Sequence, residues 1–203
     1  MSARDEGVIK FDCVWRPGAG PLPSEIALLD AWRRRCFDLG LVGATSDGIG
    51  YGNLSARIGS TRTFWVTGSG TGGVPKLGPA HYSRVIEAYP EHNRLVCEGP
   101  LKASSESMTH AVLYVALPDT QAVIHVHSAS LWHSFSHRLP TTADDIPYGT
   151  PAMCRAVADL ATSAKDGVIV MRGHEDGIIA FGSTADEAGN RILALLGNRR
   201  PTI

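Results

Sequence analysis

The stretch that most constrains what this chain can fold into is Gln121 to Ser128, QAVIHVHS. Pro118 and Asp119 bound it upstream, and Val123, Ile124 and Val126 are β-branched, so it reads as a buried strand. Alternation along a strand sends His125 and His127 out of the same face. Two imidazoles on one face can share a metal ion; they can also form a hydrogen-bonded pair or simply sit in solvent. What decides between these readings is whether the rest of the chain supplies a third ligand, a carboxylate and a place for a substrate.

With 203 residues, 43% hydrophobic and 19% charged, the chain has the profile of one folded domain with a substantial core. The net charge of −1 provides no global field for nucleic acid or an anionic membrane, so affinity for small anions must come from a local site. No apolar run is long enough to span a bilayer, and the N-terminal MSARDEGVIK lacks the apolar core of a signal peptide, which makes the cytoplasm the expected location. Cys13, Cys36, Cys97 and Cys154 lack C-x-x-C spacing and are expected as reduced structural thiols. Any metal should therefore be held by histidine and carboxylate.

Residues 1 to 23, rich in proline and glycine, are expected to form an irregular N-terminal arm with an edge strand at Gly7 to Phe11, ahead of a domain over 24 to 203. Ser24 offers a cap for a helix with Ile26, Leu29, Trp32 and Cys36 at helical spacing, and Arg33 to Arg35 read as its solvated face. In ATSDGIGYGNLSARI, the glycines before Asn53 fit either a hairpin turn or a backbone anion site to which Asn53 and Ser55 add donors. Strand Thr63 to Thr67 runs into Gly68-Ser-Gly-Thr-Gly-Gly73, which matches G-x-G-x-x-G formally. Val74-Pro-Lys-Leu-Gly-Pro follows where a dinucleotide fold would open a helix, so a Rossmann site is rejected and a phosphate nest retained.

Pro79 to Tyr89 is read as a short helix. Ser104 or Ser105 is read as the cap of a second one, with Glu106 in its first turn as a dipole partner and on one helical face with His110. After the His-x-His strand, His133, His137, Asp144, Asp145 and Tyr148 are available to line a cleft. A helix over Pro151 to Ser163, strands at Gly167 to Met171 and Ile178 to Phe181, and a helix over Thr184 to Leu196 complete the expectation, with His174 in the turn between the two strands.

The order Gly-Asn-x-Ser, Thr-Gly at a strand end, Ser-Ser-Glu at a helix start, His-x-His and a distant histidine before glycine resembles the class II aldolase and adducin family over roughly Glu25 to Leu196. That family includes fuculose-phosphate-type aldolases, ribulose-phosphate 4-epimerase and thioribulose-phosphate dehydratases. The resemblance implies an α/β fold, a three-layer α/β/α domain around a mixed, largely antiparallel sheet, assembled as a homotetramer. It implies His125, His127 and His174 as ligands of Zn²⁺, or of Mn²⁺, Co²⁺ or Fe²⁺, and Glu106 as the catalytic acid–base. Gly52, Asn53, Thr67, Gly68, Ser104 and Ser105 correspond to the phosphate-binding positions.

The implied reaction is retro-aldol cleavage of a small phosphorylated ketose through a metal-stabilised enediolate; dehydration, epimerisation and decarboxylation of an oxo acid are alternatives at the same site. A non-catalytic adducin-like module is a further alternative, against which Glu106 and the full histidine set argue. The chain departs from the family pattern in a short segment between His-x-His and the last histidine, where Tyr148 is the only tyrosine and the proton donor is unassigned. It also carries Glu175 and Asp176 between His174 and Gly177, which bears on where the third ligand lies.

Overall fold

The computed structural model describes residues 7–198. Its frame is an eight-stranded sheet in the order β1 (Asp12–Pro17), β7 (Arg94–Gly99), β6 (Tyr82–Tyr89), β5 (Phe64–Thr67), β4 (Asn53–Arg57), β8 (Ala122–His127), β10 (Gly177–Gly182), β9 (Val168–Val170). Every pairing is antiparallel except β1 with β7, which is parallel. A two-stranded ribbon, β2 (Gly43–Ala44) and β3 (Gly50–Tyr51), precedes β4.

Alternation sorts the strand side chains into two cores. Leu54, Ile124, Val126, Ile178 and Ala180 pack under α1 (Pro23–Asp38) and α5 (Ala185–Gly197), with Leu131 and Phe135 of α3 (Ala129–Phe135). Val66, Val123, Ile179 and Phe181 pack under α2 (Ser107–Ala116) and α4 (Pro151–Ala161), with Met108, Leu113, Met153 and Val157. This is the expected three-layer α/β/α arrangement. With helices on both faces the central strands read as nearly continuous apolar runs, and each buried Val or Ile contributes about 1.5–3 kcal/mol. His125 and His127 project on the α2/α4 side, the face shared with Val123.

Three expectations are corrected. Pro79 to Tyr89 is a single 3-10 turn, Pro79–His81, followed by the long strand β6. A bulge at Val85/Glu87 interrupts the two-residue alternation, so Val85 and Ala88 pack on the same core at a helix-like interval, while Tyr89, expected on the buried side, is exposed. The N-terminal strand is Asp12–Pro17 rather than Gly7 to Phe11, and it is an integral edge of the main sheet; residues 1–6 of the expected arm lie outside the described residues. Arg33 belongs to no solvated face: it is 1% exposed.

Candidate active site

β8 and the turn from β9 to β10 deliver the histidines. In the β10–β8 register Gly177 stands opposite His127 and Ile179 opposite His125, so a turn entering β10 arrives beside both rings. His174 is in that turn, where its N–H donates to Met171 O (3.0 Å) and its own carbonyl accepts from Gly177 N–H (2.9 Å). Glu175 and Asp176 do not displace it. Asp176 adopts a left-handed conformation, φ 66°, and its carbonyl accepts from Ser128 N–H (2.9 Å), which ties the turn to the end of β8.

One ligand nitrogen from each of His125, His127 and His174 lies within 4.8 Å of the others. The Nε2 atoms of His125 and His127 face each other at 3.1 Å, and His125 Nδ1 is 3.1 Å from Ile178 O. Donation from Nδ1–H to that carbonyl fixes the tautomer and leaves the Nε2 lone pair directed into the trio. Burial holds the His125 pKa well below the usual imidazole range, and the neighbouring His174 and His127 depress it further. A neutral ring is the form that binds metal, so three converging imidazoles fit a divalent cation.

Glu106 stands at the N-cap of α2, one residue ahead of the first turn, and neither Ser104 nor Ser105 caps the helix with its side chain. Its carboxylate is 1% exposed. Oε2 accepts from Thr109 Oγ1 at 2.8 Å, and Oε1 is 4.0 Å from His174 Nδ1. One turn on, His110 is fully buried and its Nδ1 meets Ser55 Oγ at 2.7 Å; the same hydroxyl meets Tyr114 Oη at 2.7 Å. Burial lowers the His110 pKa to about 3, so this row under α2 is uncharged.

Beside the histidines lies a small cup of glycines and hydroxyls: Gly7, Gly50, Gly52, Asn53, Gly68, Ser69, Gly70, Thr71, Gly72, Ser104 and Ser105. Asn53 pairs with His125 across β4 and β8, which sets cup and histidines side by side. Gly52 has φ 73°, and a Cβ there would lie 2.7 Å from Val42 Cγ2 and 3.2 Å from His125 O, so the close passage of the two strands requires glycine. Of the expected anion-site residues, five line the cup. Thr67 stands behind them, its hydroxyl accepting from Leu54 N–H (3.2 Å).

The other side of the trio opens on a cavity of about 900 Å³, whose walls include Lys10, Asp47, Tyr51, His127, Ser128, Tyr148, His174 and Glu175. Tyr148 lies flat on His174, with centroids 4.1 Å apart and planes at 15°, and Lys10 Nζ sits 3.7 Å from the centroid of the tyrosine ring. Tyr51 packs against His127 at 5.5 Å. His133 and His137 are both exposed, and Asp144 pairs with Arg172. Sequence reasoning placed Tyr148 among the residues available to line a cleft, and it missed Lys10 because stacking partners distant in sequence leave no periodic pattern.

The family model for the class II aldolase and adducin N-terminal domain matches residues 31–196. The methylthioribulose-1-phosphate dehydratase of Leptospira biflexa serovar Patoc is 37% identical over 78 residues, 38% of this chain and 36% of that protein; the match thus spans little more than a third of the relative. The L-fuculose-1-phosphate aldolase of Thermus thermophilus superposes with a TM-score of 0.63 at 24% identity, covering 86% of this chain and 90% of that one. A sugar-phosphate aldolase from Thermotoga maritima gives 0.64 at 15% identity, over 85% and 90%. These structures share the layered fold just described. With its histidine trio in place, the chain belongs to the class II aldolase and adducin family.

Proposed function

We propose that the protein is a divalent-metal-dependent lyase that cleaves a small phosphorylated ketose by a retro-aldol reaction. The observation that carries this reading is the continuity of Ser104, Ser105 and Glu106: the two serines line the glycine cup and the next residue places its buried carboxylate beside His174. A substrate with phosphate in the cup thus has its carbonyl end at the histidines. Three neutral imidazoles suit Zn²⁺, with Mn²⁺, Co²⁺ and Fe²⁺ as alternatives in the same donor set. When bound, the metal supplies Lewis-acid polarisation of the substrate carbonyl.

The chain's own groups account for the rest. Backbone amides of the cup and the Ser104 and Ser105 hydroxyls hold the phosphate, and this remote anchoring fixes the reacting carbons against Glu106. As the carbon–carbon bond breaks, its electron pair moves to the carbon next to the carbonyl, and the hydroxyl on the other carbon loses its proton to a group lining the cavity and becomes the aldehyde oxygen. Glu106, starting protonated, gives its proton to the carbon next to the carbonyl and is reprotonated by the proton released from the hydroxyl, which yields an aldehyde and a three-carbon keto phosphate. Lys10, Tyr51 and Tyr148 narrow the cavity and shield the reacting end from water.

A second reading uses the same site for dehydration, and the match to a dehydratase favours it: Glu106 removes the proton next to the carbonyl and the neighbouring hydroxyl leaves as water. Incubating the metal-loaded protein with a panel of ketose 1-phosphates and oxo-acid phosphates separates the two, since cleavage releases two carbon fragments and dehydration keeps one. Epimerisation or decarboxylation would appear in the same assay as inversion or loss of CO₂. Glu106→Ala should retain metal and lose turnover by about 10²–10⁴-fold, and a fully active variant would remove Glu106 from this role. A metal-free, well-folded protein with no turnover would support an adducin-like interaction role. The homotetramer implied by the resemblance is read directly by light scattering.

A further inference from the structure

The glycine loop that forms one wall of the cup is held from behind by a buried cation. Arg33 of α1 is 1% exposed, and its guanidinium donates to three carbonyls of that loop. Nη2 reaches Thr71 O at 2.9 Å and Gly72 O at 2.7 Å, and Nη1 reaches Pro75 O at 3.3 Å. Thr71 and Gly72 themselves border the cup, none of whose lining side chains carries a charge. Among the described residues no carboxylate forms an ion pair with Arg33, and the Phe37 ring lies 4.8 Å from its guanidinium carbon.

We infer that Arg33 is a positioning residue of the phosphate cup, one that fixes the carbonyls of its glycine loop and supplies the positive charge behind its neutral lining. This rests on the cup being the phosphate site. Two physical arguments support it. In a trans peptide the C=O and N–H point in opposite directions, so capturing the Thr71 and Gly72 carbonyls turns the Gly72 and Gly73 amides away from Arg33. Burying a guanidinium is costly unless an opposing charge compensates; Asp30 and Asp38 favour the charged form without forming an ion pair with it, and a dianion in the cup adds opposing charge on the side of the loop that Arg33 holds. Burial lowers the Arg33 pKa from its usual value, yet a guanidinium stays protonated, so the charge is permanent. Lysine would keep the charge but not the planar fork that spans three carbonyls.

The test measures inorganic phosphate binding to the metal-loaded protein by calorimetry, with bound metal and far-UV dichroism recorded alongside, for wild type, Arg33→Gln and Arg33→Lys. Wild type should bind phosphate; Arg33→Gln should bind it at least about tenfold more weakly with metal content unchanged, and Arg33→Lys should recover part of the loss. In turnover the loss should appear as a higher KM for the phosphorylated substrate with little change in kcat. Phosphate binding by both variants at wild-type strength would overturn the inference while leaving the cup intact. Metal-loaded wild type that binds no phosphate would overturn the cup as a phosphate site, and the inference with it.

Discussion

The histidine corner and the glycine cup are neighbours on adjacent strands, but they are built from opposite materials. The corner is made of side chains: His125 and His127 leave β8 by simple alternation, and His174 is brought in by a turn bonded to the end of that strand. The cup is made mostly of main chain, and its shape depends on Arg33, which lies behind the loop, and on the close strand passage at Gly52. A side-chain site can be dismantled one ligand at a time, whereas a main-chain site has to be dismantled through its supports.

The sharpest way to break this contrast is at the corner. His125→Ala with His127→Ala should abolish stoichiometric metal binding, measured by metal analysis of purified protein, while phosphate binding at the cup survives within a few-fold. Full metal occupancy in the double variant would remove these residues as ligands. At the cup, Gly72→Ala should weaken phosphate binding and lower thermal stability, because a Cβ there would lie 2.3 Å from Gly43 O and 2.8 Å from Gly50 Cα. Both contacts are backbone and cannot swing aside. A cost of about 1–3 kcal/mol is expected, read as a lower melting temperature with metal content preserved; an unchanged melting temperature would show that the loop is softer than its packing indicates.

The smallest effect tests the buried polar row that supports the corner from under α2. His110 has a folded-state pKa of about 3, below its ordinary 6.5, because burial disfavours the charged ring. Above 6.5 both states are neutral and the group contributes no pH dependence. Between 6.5 and 3 the unfolded chain takes up a proton that the folded one does not, so stability falls as pH falls, by about 1.4 kcal/mol per unit. His110→Gln removes this contribution, and its stability should decline less steeply over that window in urea titrations. Parallel slopes for variant and wild type would mean that His110 does not drive the acid loss.

The same contrast explains what could be read from the sequence. His125 and His127 were legible because β-branched neighbours announce a strand and a strand fixes which residues share a face; His174, Ser-Ser-Glu and Gly-Asn were legible through family resemblance. The supports were not. Arg33 was assigned to a solvated face with Arg34 and Arg35, although Ile26, Leu29, Arg33 and Cys36 form one inward stripe at helical spacing. A cation on an apolar stripe is the sign that was passed over, and only the loop carbonyls opposite it explain its tolerance there. β6 was misread because a bulge converts strand alternation into helix-like intervals. Tyr148 stacks on His174, and Lys10 sits on Tyr148, across long sequence separations that no local pattern encodes.

The parallel pairing of β1 with β7 also bears on the order of assembly. Asp12 lies opposite Arg94 and Pro17 opposite Gly99, so this edge joins segments separated by α1 and the strands from β2 to β6. Such a closure is entropically late, because its loop is long and its docking surface, the β6–β7 hairpin, has to exist first. The residues immediately before β1 bring Gly7 to the cup and Lys10 to Tyr148. The histidine corner can therefore form while one wall of the cavity is still undocked, and proteolysis during refolding should find the segment around Lys10 cleavable after β8 and β10 are already protected.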